Sequence, residues 1–219
     1  MLPDLYADMI RDLNDIGTTD FTPFITNRNM TGKNALVAPD GSKLAAPSGR
    51  KYDTVVEDIL SGKKLPEGYD AIFTTYKQLQ SQKGKTNVRQ DILNAISDNA
   101  ILILDEAHNA GGAESSVGQF IRNYTANMKN GVLYSSATFA KRPDIMSLYN
   151  KTDISKIGDQ KTIQEVTGKG GLPIQQAISA MLTESGQYIR REKSFEGASM
   201  DTVPVNVDIR TSDRISAAM

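Results

Sequence analysis

Apolar residues at Leu2, Leu5, Met9, Leu13 and Ile16 fall three and four apart, which predicts an amphipathic helix over residues 2–16. Pro3 suits its first turn and Gly17 its stop. Residues 21–50 then lose all period. They are rich in Thr, Asn, Gly, Pro and Ser, carry one short candidate strand at residues 35–38, and read as an irregular excursion. Helical spacing returns over residues 54–60, after which Pro66-Glu67-Gly68 turns the chain into a strand at Ala71-Ile72-Phe73 that ends on Thr74 and Thr75. Val88, Ile92, Leu93 and Ile96 share one face of the next helix. Residues 101–104, Ile-Leu-Ile-Leu, form an unbroken apolar run, the pattern of a strand buried on both faces in the middle of a parallel sheet. A helix with Val117, Phe120, Ile121, Tyr124 and Met128 on one side comes next, and Gly131 opens a strand over residues 132–138. Gly168-Lys169-Gly170-Gly171 reads as a flexible turn before a helix through Ile174, Ala177, Ile178, Met181 and Leu182 that stops at Gly186. Residues 187–191 are a further candidate strand. Residues 203–209 are extended but broken by Pro204, and Ser212 is placed to cap a new helix.

Strands alternating with helices predict an α/β fold, a doubly wound and mostly parallel sheet with helices on both faces. A first helix in such a fold normally follows a strand, and none precedes residue 2, so the chain reads as truncated at its start.

Composition narrows the chemistry. With 39% hydrophobic and 23% charged residues among 219, the chain has the balance of an ordinary globular protein. It has no cysteine, which excludes disulfides, thiolate zinc sites and cysteine nucleophiles, and its single histidine excludes multi-histidine metal sites. The opening Met1-Leu2-Pro3-Asp4 carries acid where a signal peptide carries base, and no apolar run reaches membrane-spanning length. A cytoplasmic protein with no membrane partner is expected. A formal net charge of -1 offers no global attraction to nucleic acid, so any such binding has to come from local basic clusters.

The candidate chemistry lies where the apolar run 101–104 stops, at Asp105-Glu106-Ala107-His108. In an open parallel sheet the carboxyl ends of strands face the ligand crevice, so two carboxylates at that point have the Walker B arrangement. Asp105 would hold Mg²⁺ through its water shell, and Glu106 would orient and deprotonate the water attacking a terminal phosphate. Thr31-Gly32-Lys33-Asn34 does not make the matching phosphate loop: Asn27 stands at the first glycine, Asn34 replaces Ser or Thr, and no helical pattern follows.

The strand ending in Asp105-Glu106-Ala107-His108, followed after one helix by a strand ending in Ser136-Ala137-Thr138, resembles motifs II and III of superfamily-two helicases and translocases. Three longer segments sharpen the likeness: residues 69–79, Ser136 through Asp144, and Gly186-Gln187-Tyr188-Ile189-Arg190-Arg191-Glu192. Together they are similar to the strawberry notch group of helicase-like proteins over nearly the whole chain. Relatives in bacteria and phages often occur as pieces of larger proteins, some joined to DNA methyltransferase modules. Arg190-Arg191-Glu192-Lys193 with Val203-Pro204-Val205 is also similar to the exit from the first motor lobe of Swi2/Snf2 translocases.

The resemblance implies a partial RecA-like P-loop NTPase domain, with residues 1–200 as a first motor lobe and 201–219 as a linker toward a second. It implies ATP and Mg²⁺ as cofactors. His108, Ser136, Ala137 and Thr138 become coupling residues between hydrolysis and a nucleic-acid groove. Thr74 and Thr75 at a strand end, with Lys141 and Arg142, are the candidates for contact with a DNA or RNA backbone, weakly and without sequence preference. A phage or bacterial cytoplasm is implied, or a nucleus in a eukaryote. The sequence departs from the family in lacking the phosphate loop and the second-lobe motifs, which would come from a longer parent or a neighbouring chain. Two readings stay open: a motor fragment completed by those segments, and a non-catalytic interaction module that kept the fold.

Overall fold

The computed structural model describes residues 3–18, 21–27, 50–81, 85–110, 112, 114–136, 139 and 142–189. Outside them lie the candidate strand at 35–38, Thr31 to Asn34, Ala137, Thr138, Lys141, and Arg190, Arg191 and Lys193 together with the extended stretch and cap beyond them. The chain divides into two compact units, Met1–Tyr188 and Ile189–Met219, and every described helix and strand belongs to the first.

Among the described residues, five helices and four short strands run in the order α1 (Pro3–Asp15), β1 (Pro23–Ile25), α2 (Arg50–Gly62), β2 (Ala71–Phe73), α3 (Val88–Ile96), β3 (Leu102–Leu104), α4 (Ser116–Asn127), β4 (Val132–Tyr134) and α5 (Gln160–Glu184). Side-chain caps explain several starts. The Asn87 side chain accepts from the Arg89 amide at α3, Ser115 from Gly118 at α4, and Asp159 from Thr162 at α5.

The strands pair in parallel, β1 with β2 (Phe24 opposite Ile72) and β3 with β4 (Ile103 opposite Leu133). Alternation of side chains then decides what each face meets. In the first pair, Phe24 and Ile72 pack with Tyr52, Val55, Ile59, Ile92 and Ile96 of α2 and α3. Ile25 and Phe73 point the other way, against Met9, Ile10 and Leu13 of α1. Helices therefore cover both faces of this pair, as the sequence pattern predicts. Ile16, the last apolar position of the α1 stripe, is 76% exposed and takes no part.

The second pair is covered on one face only. Leu102, Leu104, Val132 and Tyr134 join the largest core, with Ile121, Tyr124, Met146, Leu148, Ile178 and Leu182. Ile101, Ile103 and Leu133 are 73%, 62% and 57% exposed. The expectation of a strand buried on both faces is thus corrected: no described element packs on the Ile103 side.

Gly168 to Gly171 also departs from expectation. The stretch is helical, part of α5, and the break is confined to Gly171, whose φ of 55° only glycine adopts readily, with Pro173 just beyond. Between β4 and α5 the chain runs through a 3-10 helix, Pro143–Tyr149, that buries Ile145, Met146, Ser147, Leu148 and Tyr149. Residues 187–189 form no strand. None of the described helices is long and apolar enough to cross a membrane.

Candidate functional site

The ladder between β3 and β4 continues past the strand ends and sets the site. The Ser135 amide donates to the Leu104 carbonyl at 3.0 Å, and the Ala107 amide donates to the Ser135 carbonyl at 2.8 Å. Between those two bonds the chain turns sharply at Glu106, which holds φ at 46°. For a side-chain-bearing residue that left-handed backbone costs about 1 kcal/mol. Ala107 and Ala110, both fully buried, then close a 3-10 turn beneath the site. The turn leaves the partly exposed His108 between them on the rim.

His108 is the hub of the constellation. Its Nδ1 lies 3.0 Å from Ser136 Oγ and 3.2 Å from Glu106 Oε2, with the histidine side chain 27% and the glutamate 49% exposed. The structure thus brings together three of the residues singled out in the sequence, from two separate motifs. Asp105 is exposed. Its carboxylate has no hydrogen bond or ion pair among the described residues, while its carbonyl accepts from the Tyr76 hydroxyl at 2.7 Å.

Tyr76 is a site residue that sequence reasoning missed. It follows the strand-end threonines directly and ties the exit of β2 to the exit of β3. Burial raises its ionisation far above the ordinary phenol range, and the charges of Asp105 and Glu106 add to the rise, so it remains a donor at any working pH. Tyr76→Phe is expected to lower stability by about 1 kcal/mol, the net worth of one such bond, in urea unfolding. An unchanged midpoint would show that the bond does not hold the β3 exit.

Thr74 and Thr75 have structural employment. Thr75 is buried, and its hydroxyl caps the 3-10 helix Tyr76–Leu79 by accepting from the Gln78 amide. The Gln78 side-chain oxygen answers by accepting from the Thr75 amide at 3.2 Å, the Thr74 hydroxyl at 3.3 Å and the buried Thr26 hydroxyl at 3.1 Å. This reciprocal box joins the ends of β1 and β2. The signal for it, Thr75 followed three residues later by Gln78, was present in the sequence.

Arg142 is exposed and forks onto Asp144, with Nε donating to Oδ1 at 2.9 Å and Nη2 to Oδ2. The guanidinium holds the Asp144 carboxyl below the usual carboxylate range. Gly112 lies directly beneath the fork, and a Cβ there would collide with the Asp144 carboxylate. The loop after His108 is thus packed against the segment that follows Ser136. Buried Arg122 of α4 faces the same carboxylate: desolvation lowers its ionisation, and Glu114 and Asp144 oppose that shift.

Among the described residues no group of three or more acidic or histidine side chains could enclose a metal ion. A lone exposed carboxylate fits Mg²⁺, which commonly keeps most of its waters and takes one or two carboxylates plus substrate phosphates. The family model for the P-loop containing NTP hydrolase pore-1 matches residues 1–214. The chain belongs to that family. No curated protein and no solved structure matches it. Parallel strand pairs with helices, carrying carboxylates at a strand exit, are the α/β architecture of a P-loop NTP hydrolase, and NTPase-type function follows at that level.

Proposed function

We propose that the chain is the first-lobe portion of a strawberry notch-type, ATP-dependent helicase-like translocase. The observation that carries this reading is His108 Nδ1 bridging Glu106 and Ser136, because it joins a hydrolytic carboxylate to the neighbouring strand exit. Asp105 would hold Mg²⁺, which when bound would neutralise phosphate charge. Glu106 orients the attacking water and takes its proton. His108 and Ser136, continued by Ala137 and Thr138, transmit the state of that carboxylate toward β4 and the chain beyond it. DNA or RNA is held weakly through its backbone.

The 219 residues contain no match to a phosphate loop, and backbone amides of such a loop supply most nucleotide affinity. Phosphate release from Mg·ATP is therefore expected to be negligible for this chain alone and to appear, stimulated by nucleic acid, once a phosphate-loop segment is fused or added. Hydrolysis indifferent to nucleic acid and to Ser136→Ala would overturn the motor reading. The exposed apolar face at Ile101, Ile103 and Leu133 favours the other reading, an interaction module without turnover. It predicts a stable complex through that face and no hydrolysis under any supplement.

Nucleic-acid affinity is expected to be micromolar or weaker, given a formal net charge of -1, and to fall with salt. Replacing Lys141 and Arg142 by alanine should flatten the salt slope by up to about two if both touch phosphate. An unchanged slope in fluorescence anisotropy would return both to solvated surface.

A further inference from the structure

The carboxyl ends of three strands are tied together at one edge. The Gln78 side-chain oxygen accepts from the hydroxyls of Thr26 and Thr74, just past β1 and β2, and the Tyr76 hydroxyl donates to the Asp105 carbonyl, just past β3. In a parallel α/β fold that edge is where ligands sit. Arg89, in the first turn of α3, reaches across 63 residues to the exit of β1. There its Nε and Nη2 both donate to the Thr26 carbonyl, at 3.4 and 3.3 Å.

The fold does not require a charge at that point. The same carbonyl accepts from the Tyr52 hydroxyl at 3.1 Å, a shorter bond than either of the arginine's, and a neutral donor could make those too. Nor is the charge spent on an acid. Arg11 and Arg142 pair with aspartates and Arg122 faces Glu114 and Asp144, whereas no carboxylate among the described residues pairs with Arg89. Its Nη1 donates to nothing among the described residues. A half-buried guanidinium gives up hydration, and one shared neutral carbonyl returns little of it.

The arginine is firmly placed. The Asn87 side-chain oxygen accepts from the Arg89 amide at 2.9 Å, and the Asn87 side-chain nitrogen donates to the Gln78 carbonyl at 2.9 Å. Gln90 adds a bond to the Leu79 carbonyl at 2.8 Å, so the start of α3 is fastened to the turn that joins the strand ends. A guanidinium held in place with donors to spare is preorganised for an oxyanion.

We infer that Arg89 is an anion-binding residue of the strand-exit edge, whose Nη1 takes a phosphate oxygen. The same chemistry serves a phosphodiester of a nucleic-acid strand and a phosphate of a nucleotide. The inference deepens the function proposed above and rests on it for which phosphates arrive. Its test does not, because it reads binding and not turnover.

In the full-length protein, arginine Nε–H resonances are followed while single-stranded oligothymidylate and, separately, inorganic tripolyphosphate are titrated to millimolar levels. The resonance missing from both Arg89→Gln and Arg89→Lys belongs to Arg89, and it is expected to move with at least one probe. Glutamine keeps a donor for the Thr26 carbonyl and drops the charge, so Arg89→Gln is expected to melt with the wild type. If a phosphodiester is held, Arg89→Gln should weaken oligothymidylate several-fold and flatten its salt slope by about one, while Arg89→Lys keeps the slope. If a nucleotide phosphate is held, the several-fold loss should fall on tripolyphosphate alone. Tyr52→Phe removes the other donor from the same carbonyl and should alter neither affinity. An Arg89 resonance that moves with neither probe overturns the inference, and so does equal weakening by Arg89→Gln and Tyr52→Phe. Failure of the motor reading would appear instead as absent turnover with a phosphate-loop segment supplied, the Arg89 shifts remaining.

Discussion

Glu106→Gln is expected to reduce ATP turnover by about 10²–10⁴-fold, the range for removing a positioned general base, while nucleotide affinity changes little. The substitution isolates the carboxylate. Glutamine has the same length and meets the same backbone strain at φ 46°, so the turn after β3 is not relieved or worsened. It also exchanges an acceptor for a group that can donate to His108 Nδ1, which breaks the proton arrangement without breaking the contact. The measurement is single-turnover phosphate release with a phosphate-loop segment supplied, beside binding of a fluorescent nucleotide. If affinity fell as far as rate, Glu106 would be holding the nucleotide and not working on water. If neither fell, the hydrolytic assignment would be lost.

The second large effect separates the two faces of one strand. Leu104→Ala, at 4% exposure within the main core, is expected to cost about 2–5 kcal/mol from lost transfer energy and the cavity left behind. Ile103→Ala, one residue earlier and 62% exposed, should cost about 0.5 kcal/mol or less. Urea midpoints of the two variants, measured at several protein concentrations, check the contrast. Comparable losses would mean that something covers the Ile103 face in solution. A concentration-dependent midpoint for the wild type would identify that cover as a second copy.

That contrast also marks how much the sequence could say. Helices α2, α3 and α4 were legible because a three-to-four spacing is produced by little other than one buried helical face, and the caps Asn87 and Ser115 stand where the period begins. For β3 the run Ile-Leu-Ile-Leu is apolar at both parities, so its composition cannot record that Leu104 faces a core and Ile103 does not. Nor could period reveal the buried 3-10 helix Pro143–Tyr149, which has too few residues to establish one. Gly168 to Gly171 misled because glycine usually breaks helices, yet here packing of α5 through Ile163, Thr167, Ile178 and Leu182 outweighs that preference and leaves the break at Gly171 alone.

At the site, the motif residues were readable as types at fixed spacing, and Glu106, His108 and Ser136 lie within hydrogen-bond or ion-pair distance of one another through His108 Nδ1. Tyr76 was not, because its contact with the Asp105 carbonyl reaches across 29 residues. A lone tyrosine carries no spacing rule. The threonines at the end of β2 were read from the outside, as surface that could meet a backbone. Thr75 proves to be the internal cap that Gln78 requires.

The fork between Arg142 and Asp144 bears on which anions that arginine can recognise at all. A carboxylate tethered two residues away stays beside the guanidinium whatever the solution holds, so the fork re-forms each time it opens. A phosphate must therefore displace a resident rival of the same shape before it can take both guanidinium nitrogens. At an exposed pair that rivalry is weak, so Asp144 lowers what Arg142 adds to a phosphodiester contact without preventing one.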